Sequence, residues 1–298
     1  MKVIERCGYG ASFNELVVVG DIIKKRSKNR YGLTKIGMEI NFYKYVIEHQ
    51  IKFPITDVYN FYEDGYDMKY LNGYTPMYKN YFGTEKVYNY LKVLHSHESR
   101  EVTKDYFIKQ LHHEIEIKIA DRYEKIRDVL GKYSHITHVN GEKVLGFTKL
   151  LNHINTRIME IVNAWEKFNF VPIHGDCQFN NILTNGDEIV FIDPRGYYGT
   201  SKIFGMKEYD YAKVLFAISG YDEFDNRHID ELDVNGSDIT IKLNTLESDI
   251  FNKNELVVLL MLNIWLGNAH SFSNNEPKMV YSYFIALSLG TMYFNRLN

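Results

Sequence analysis

The chain has 298 residues, of which 45% are hydrophobic and 24% are charged, and its formal net charge is -3 at pH 7. This composition is typical of a folded globular protein and excludes a disordered chain. The near balance of charges gives no indication of nucleic acid or an acidic membrane surface as a partner. Only two cysteines occur, Cys7 and Cys177, which excludes a disulfide framework and favours a reducing compartment.

The first quarter of the chain has the pattern of a small β-sheet with one helix. Residues 34–48 carry apolar side chains at helical spacing, whereas the flanking segments show the short apolar runs and turn signals of strands. The strands are predicted at residues 3–6, 15–19, 22–26, 56–62 and 67–71.

The rest of the chain is predicted to be mostly helical. The apolar run at residues 256–266 is too short for a membrane span and predicts a buried helix. Pro277 suits the first turn of a final helix. Helices are predicted at residues 85–95, 104–130 and 145–168 and over most of 209–297, with a strand-loop-strand region at 171–192.

This order of elements predicts an α+β, bilobal fold. A small β-rich N-terminal lobe would cover residues 1–71, and a larger helical lobe would cover residues 72–298. The first ten residues show no apolar signal segment, so we expect a cytoplasmic protein. The sequence does not indicate an oligomeric state.

The strongest functional pattern lies in the strand-loop-strand region. His174, Asp176 and Asn181 follow an apolar segment, and Asp193 ends the apolar run at residues 189–192. Phosphoryl transfer to a hydroxyl needs a carboxylate near the acceptor, oxygen ligands for Mg²⁺ and positive charge on the phosphates. Asp176 suits the first role, Asn181 and Asp193 suit the second, and His174 suits support of the loop by hydrogen bonding.

The arrangement His-x-Asp-x-x-x-x-Asn, followed by an apolar strand ending in Asp, resembles the aminoglycoside phosphotransferase and choline kinase superfamily. The resemblance implies a protein-kinase-like fold that uses ATP and Mg²⁺. Cys177 and Gln178 resemble the choline and ethanolamine kinase branch. The segment Asp193-Pro194-Arg195-Gly196 is instead similar to small kinase-like proteins found with bacterial surface-polysaccharide genes.

The resemblance also implies a phosphate-contacting lysine paired with a glutamate. Lys24 and Lys25 are the two candidates, and strand alternation favours Lys25, because with Lys24 inward Arg26 would enter the core. Glu39, an acidic residue within the apolar pattern of the first helix, is the predicted partner.

Backbone groups should complete the nucleotide site. The turn containing Gly8, Gly10 and Ser12 precedes the candidate lysines and would place N–H groups near phosphate oxygens. By resemblance, backbone groups from Lys69 to Leu71 would meet the adenine.

Three further residues are assigned by resemblance or by position. Asp210 resembles an aspartate that braces the catalytic loop, so we expect a buried structural carboxylate. Gln178 and Arg195 are candidates for binding the acceptor. Arg195 could bind an acidic group of the acceptor or pair with a nearby carboxylate of the chain.

The sequence therefore predicts an ATP- and Mg²⁺-dependent kinase acting on a hydroxyl of a small molecule. A sugar or sugar-linked precursor is favoured as acceptor. A choline-like amino alcohol is next, because aromatic residues reach 15% and aromatic faces bind quaternary ammonium groups. The alternatives are a catalytically silent nucleotide-binding pseudokinase and a protein kinase. No nucleic acid and no membrane span are expected.

Overall fold

The computed structural model describes the strand Lys2–Val3 and residues 13–297. Gly8, Gly10 and Ser12, predicted as a phosphate loop, lie outside the described residues. The chain forms two compact units, one from Met1–Thr103 with Asn169–Ala217 and one from Lys104–Phe168 with Ile218–Asn298. The lobe boundary after residue 71 stays a prediction.

The strands, in chain order, are β1 (Lys2–Val3), β2 (Asn14–Val19), β3 (Ile22–Ser27), β4 (Val58–Phe61), β5 (Gly65–Lys69), β6 (Thr75–Pro76), β7 (Arg100–Glu101), β8 (His138–Val139), β9 (Glu142–Lys143), β10 (Asn169–Pro172), β11 (Ile182–Asn185), β12 (Glu188–Phe191), β13 (Phe204–Gly205), β14 (Val234–Asn235) and β15 (Asp238–Ile239). The α-helices are α1 (Arg30–Glu48), α2 (Glu85–His97), α3 (Lys104–His112), α4 (Lys118–Glu124), α5 (Arg127–Gly131), α6 (Phe147–Asn163), α7 (Lys207–Ile218), α8 (Tyr221–Asn226), α9 (Glu255–Leu266) and α10 (Glu276–Leu297).

The first unit is built on an antiparallel sheet in the order β1-β2-β3-β5-β4. Strand β3 lies at its centre, and its Lys25 pairs with Leu16 of β2 and Tyr66 of β5. Helix α1 packs on this sheet through a small apolar core. The buried members of that core are Ile36, Ile40, Tyr43, Tyr66 and Met68.

Helix α1 begins four residues before the predicted start. The Asn29 side chain caps it by accepting a hydrogen bond of 2.9 Å from the Gly32 N–H. A Cβ at Gly32 would lie 2.3 Å from the Phe13 carbonyl oxygen, so only glycine permits this close approach. A glycine inside a helix weakens the helical pattern of the sequence, which is why the first turn is not predicted.

Two shorter sheets position the segment with His174, Asp176, Asn181 and Asp193 in the same unit. Strands β12, β11 and β6 form one, and β13, β10 and β7 form the other. The first joins the segment after α1, because the Phe191 N–H donates to the Pro54 carbonyl over 2.7 Å. The loop between β10 and β11 contains His174, Asp176 and a short 3₁₀ turn, Phe179–Asn181.

The second unit is helical, with a small sheet in the order β14-β15-β8-β9. The only segment among the described residues with the length and composition of a membrane span is Glu255–Phe272, and 78% of it is buried inside the protein. Every residue from Leu256 to Leu266 is buried, as the apolar pattern predicts for a core helix.

Two predictions in this unit are wrong in detail. The single helix expected at residues 104–130 is divided by a π-helical turn, His113–Ile117. Here the Asn263 side-chain amide donates to the Ile115 carbonyl over 2.8 Å, and such an inserted side chain interrupts a helix. Much of 227–254 is irregular with two short strands, where the sequence is rich in turn-forming Asp, Asn, Gly and Ser.

The cap of α1 gives a stability prediction. Asn29→Ala should lower the free energy of unfolding by about 1 kcal/mol, because the Gly32 N–H loses its acceptor. Asn41→Ala, at an exposed position of the same helix, should change it by less than about 0.5 kcal/mol. Urea denaturation of both variants measures the difference, and equal midpoints would contradict the capping role.

Candidate active site

A buried ammonium group lies at the centre of the first unit. Lys25 Nζ is 2.6 Å from Glu39 Oε2 and 3.1 Å from Asp193 Oδ1, and the Lys25 side chain is only 2% exposed. Lys24, the other candidate, is exposed. Lys25 on β3 thereby joins Glu39 on α1 to Asp193, which follows β12.

Two tyrosines surround this ion pair. The Tyr66 hydroxyl donates to Glu39 Oε2 over 2.8 Å, and the Tyr43 hydroxyl accepts the Asp193 backbone N–H over 3.2 Å. Burial raises the pKa of Glu39, and the Lys25 charge opposes that rise. Burial also raises the pKa values of both tyrosines, so their hydroxyls stay neutral.

Asp193 has an unusual backbone conformation. Its φ of 53° lies in the left-handed region, which aspartate tolerates better than most residues. Just beyond it, Gly196 has a φ of 70°, and a Cβ there would lie 2.1 Å from the Met38 carbonyl oxygen. The backbone after Asp193 therefore passes directly over helix α1 beside Glu39, and this approach accounts for the glycine in the Asp-Pro-Arg-Gly segment.

The Asp176 carboxylate is held at both oxygens. Asn181 Nδ2 donates to Oδ2 over 2.9 Å, and Lys213 Nζ lies 2.9 Å from Oδ1. The Asp176 side chain remains 30% exposed. Asn181 and Lys213 therefore fix the orientation of the Asp176 carboxylate, and the carboxylate stays accessible to solvent.

Asn181 and Asp193 belong to adjacent strand ends. The Asn181 carbonyl accepts the Ile192 N–H over 3.0 Å, and β11 and β12 continue this pairing from Ile182 and Phe191. Asn181 uses its amide nitrogen on Asp176, so its amide oxygen points away from that contact. The chain thus places Asp176, Asn181 and Asp193 in one local framework.

Asp210 supports the loop from beneath. Its carboxylate accepts the N–H groups of His174 at 3.0 Å and Gly175 at 2.6 Å, and it contacts His95 Nε2 at 2.9 Å. Burial alone would raise the pKa of Asp210, but these donors, led by His95, lower it. Asp210 is fully buried, so it holds the loop and does not meet solvent.

His174 is a fully buried part of the same loop. Its Nε2 lies 3.1 Å from the Ile192 carbonyl, and its Nδ1 accepts the Asp176 N–H at 3.3 Å. A carbonyl only accepts and a backbone N–H only donates, so the neutral ring carries its proton on Nε2. Burial lowers the pKa of His174, which keeps this tautomer neutral.

The remaining predicted site residues lie near this centre or at the edge of the sheet. Gln178 and Arg195 are half-buried, and Arg195 Nη1 donates to the Tyr209 hydroxyl over 3.0 Å. Lys69 is exposed at the end of β5, 3.3 Å from Asp57. The N–H groups of Lys69 and Tyr70 bond to carbonyls of the chain, and Leu71 begins the segment that follows.

Lys213 is a residue that the sequence analysis misses. Burial lowers the pKa of Lys213, but the Asp176 charge, its hydrogen bond to Lys213 and Tyr209 together raise the pKa above its ordinary value, so the ammonium is charged at neutral pH. The sequence feature that could have identified Lys213 is its position three residues after Asp210. On helix α7 that spacing puts both side chains on one face, directed at the same loop.

The donor set around Asp193 suits Mg²⁺. Asn181 and Asp193 offer amide and carboxylate oxygens, the hard ligands this ion takes in small number together with phosphate oxygens and water. No cluster of three or more His, Cys, Asp or Glu side chains suited to a metal occurs among the residues that the structure describes. A metal held by Asn181 and Asp193 would take its remaining ligands from phosphate oxygens and water.

Comparison with known proteins identifies the fold. No family model matches the chain, and no curated protein matches it. A choline/ethanolamine kinase family protein from Mesorhizobium loti is similar over 100% of this chain and 91% of that chain, with a TM-score of 0.58 and 11% identity. An aminoglycoside phosphotransferase in complex with gentamicin is similar over 98% of this chain and 93% of that chain, with a TM-score of 0.54 and 16% identity.

A glucosamine kinase, in complex with glucosamine, ADP and inorganic phosphate, is a third structure with this fold. It is similar over 99% of this chain and 80% of that chain, with a TM-score of 0.52 and 11% identity. The predicted α+β, protein-kinase-like fold is therefore confirmed. The chain has the fold of the small-molecule kinases that include choline kinases and aminoglycoside phosphotransferases, while the polysaccharide-linked branch stays a prediction.

The burial of His174 gives a pH prediction. An unfolded histidine has a pKa of about 6.5, whereas burial lowers that of His174 in the folded chain. The unfolded state therefore binds a proton first as the pH falls, so this residue's contribution to stability is present above pH ~6.5 and is lost below it.

Denaturation at pH 7 and pH 5 checks this expectation. His174→Gln should flatten the fall in the free energy of unfolding between these two pH values. His153→Gln, at an exposed position, should keep the wild-type dependence. A His174→Gln variant with the full wild-type dependence would show that His174 does not cause it.

Proposed function

We propose that this chain transfers the γ-phosphate of ATP to a hydroxyl group of a small molecule, with Mg²⁺ as the metal. The observation that carries the proposal is the placement of Asp176, Asn181 and Asp193 on one hydrogen-bonded framework beside the buried ammonium of Lys25. Phosphoryl transfer requires positioning and charge stabilisation more than covalent chemistry, and this framework supplies both.

Each residue has a specific role in this reaction. Asp176 orients the acceptor hydroxyl and takes its proton as the hydroxyl oxygen bonds to the γ-phosphorus. The bond between that phosphorus and the bridging oxygen breaks, and its electron pair leaves with ADP. Lys25, held by Glu39, steadies the phosphates of ATP.

Asn181 and Asp193 would hold Mg²⁺, which when bound neutralises charge on the phosphate oxygens. His174 and Asp210 keep the loop in the conformation that presents Asp176. Lys213 fixes one oxygen of the Asp176 carboxylate and adds positive charge beside it.

The adenine would meet the segment after β5. The Lys69 and Tyr70 N–H groups donate to the Asp57 and Asp21 carbonyls. We therefore propose the Leu71 N–H as the backbone donor to the adenine. The turn containing Gly8, Gly10 and Ser12 is proposed to cover the phosphates. We expect a cytoplasmic enzyme, since ATP and Mg²⁺ are both supplied there.

A sugar or sugar-linked precursor is the preferred acceptor in this proposal, and a choline-like amino alcohol is second. The experiment is a panel of sugars and amino alcohols incubated with ATP and Mg²⁺, with ADP release followed over time. Acceptor-dependent ADP release supports the proposal. ATP binding without such release from any member would support a nucleotide-binding pseudokinase instead.

The Asp176 carboxylate gives the first kinetic prediction. Asp176→Asn should reduce kcat about 10²–10⁴-fold, because the amide cannot accept the hydroxyl proton. ATP binding, measured by calorimetry, should change little. An unchanged kcat would contradict the role of Asp176, and a lost fold, detected by circular dichroism, would make Asp176→Glu the variant to measure.

The metal assignment gives a second kinetic prediction. Asp193→Asn should lower kcat and raise the Mg²⁺ concentration needed for half-maximal activity, because an ionised oxygen ligand is replaced by a neutral one. Asp187→Asn, at an exposed position in the turn between β11 and β12, is the matched control and should behave as wild type. Unchanged Mg²⁺ dependence in Asp193→Asn would show that the metal assignment is wrong.

A further inference from the structure

A series of contacts links three cationic side chains to the Asp176 carboxylate. Lys213 pairs with Asp176, and Arg195 lies close enough for its charge to act on Lys213. The Nζ atom of Lys35, on helix α1, donates to the Tyr197 hydroxyl over 2.6 Å. We call Lys35, Arg195 and Lys213 the basic cluster.

Tyrosine rings connect the members of the basic cluster. The Arg195 guanidinium carbon is 3.9 Å from the Tyr197 ring centroid, and Lys35 Nζ is 4.2 Å from the same centroid. Arg195 also donates to the Tyr209 hydroxyl, and Tyr209 precedes the brace residue Asp210 by one position. Lys35 and Arg195 are therefore linked through Tyr197, and Arg195 contacts helix α7, which also carries Lys213.

The backbone fixes Arg195 against the catalytic loop. Its N–H donates to the His174 carbonyl over 2.8 Å, and a Cβ at Gly175 would lie 2.9 Å from the Arg195 Cβ. Gly175 has a φ of 78°, so it suits this crowded position as other residues do not. Arg195 thus moves with the loop that carries Asp176.

Lys35 has no carboxylate partner among the described residues. It is half-buried, its contacts are a tyrosine hydroxyl and two tyrosine rings, and none of the described carboxylates lies within salt-bridge distance of it. Like charges gathered at a partly buried site repel each other, and an anion bound among them relieves this repulsion. Lysine and arginine are also the usual ligands of phosphate and carboxylate groups.

We propose that the acceptor carries an anionic group, a carboxylate or a phosphate, which binds at the basic cluster while its hydroxyl meets Asp176. This rests on the proposed phosphotransferase activity and specifies its substrate class. A cationic acceptor such as a choline-like alcohol would meet repulsion here. An acidic or phosphorylated sugar carries both the hydroxyl and the anionic group that this arrangement requires.

The test compares acceptors that differ only in the anionic group. Glucose is matched with glucuronate and glycerol with glycerol phosphate, and choline is included as the cationic arm. Affinity is measured by calorimetry in the presence of Mg²⁺ and a non-hydrolysable ATP analogue, and turnover is measured as ADP release. In at least one pair the anionic member should bind about tenfold more tightly or better, as expected for a charge-assisted contact.

Lys35→Met is the informative variant, because Lys35 is half-buried at the surface and its removal leaves no buried carboxylate unpaired. This variant should lower the affinity for the anionic acceptor about tenfold and leave the affinity for the ATP analogue unchanged. Lys44→Met, an exposed lysine of the same helix, is the matched control and should leave both affinities unchanged. Preference for the uronate over the phosphate, or the reverse, identifies which anion the site takes.

Several results would overturn the inference. These are tighter binding of the neutral members or of choline, no binding by any anionic member, or a Lys35→Met variant that weakens the ATP analogue and not the acceptor. Anion binding that depends on Lys35 but produces no ADP would support the anionic site and contradict the proposed phosphotransferase activity. The two claims therefore fail in different ways.

Discussion

The buried ammonium of Lys25 is the interaction on which the candidate site depends. It lies between Glu39 on α1 and Asp193 after β12, so one side chain joins the sheet, the helix and the segment that follows β12. Removing one partner of such a pair leaves an uncompensated buried charge and typically costs about 3–5 kcal/mol. A buried ion pair adds little net stability, so we infer that this one serves to hold a positive charge at a defined position.

The loop between β10 and β11, which carries Asp176, is fixed by a second buried carboxylate, Asp210. It receives two successive backbone N–H groups from the loop and one imidazole, so the loop conformation is determined before any ligand binds. Asp176, the exposed member of the loop, is then oriented by Asn181 and Lys213. Preorganised charge of this kind needs little rearrangement during a reaction, which is how a site of few residues can be effective.

The sequence predicted the parts of the site that depend on local pattern. Strand alternation was sufficient to favour Lys25 over Lys24 as the inward lysine, and the apolar pattern of the first helix picked out Glu39. Both residues are buried and paired. The α+β, bilobal fold class was predicted from the order of helices and strands, and its protein-kinase-like character from the resemblance at His174, Asp176, Asn181 and Asp193.

What the sequence did not predict depends on contacts between distant segments. The pairing of Lys213 with Asp176 requires helix α7 to lie beneath the catalytic loop, and that placement is set by the hydrogen bonds of Asp210. The gathering of Lys35 and Arg195 on Tyr197 joins residues far apart in the chain. The π-helical turn at His113–Ile117 likewise depends on Asn263, which no local pattern around residue 115 could indicate.

The most direct test of the account is the value of kcat/KM for ATP in two lysine variants, followed as ADP release with the best acceptor of the panel. Lys25→Met is combined with Glu39→Gln so that the buried Glu39 carboxylate is not left without its partner, and circular dichroism confirms that the double variant, in which Asp193 also loses Lys25, is folded. The account predicts a loss of at least ~100-fold for the double variant and wild-type behaviour for Lys24→Met. A folded double variant with wild-type kcat/KM, or a loss confined to Lys24→Met, would contradict it.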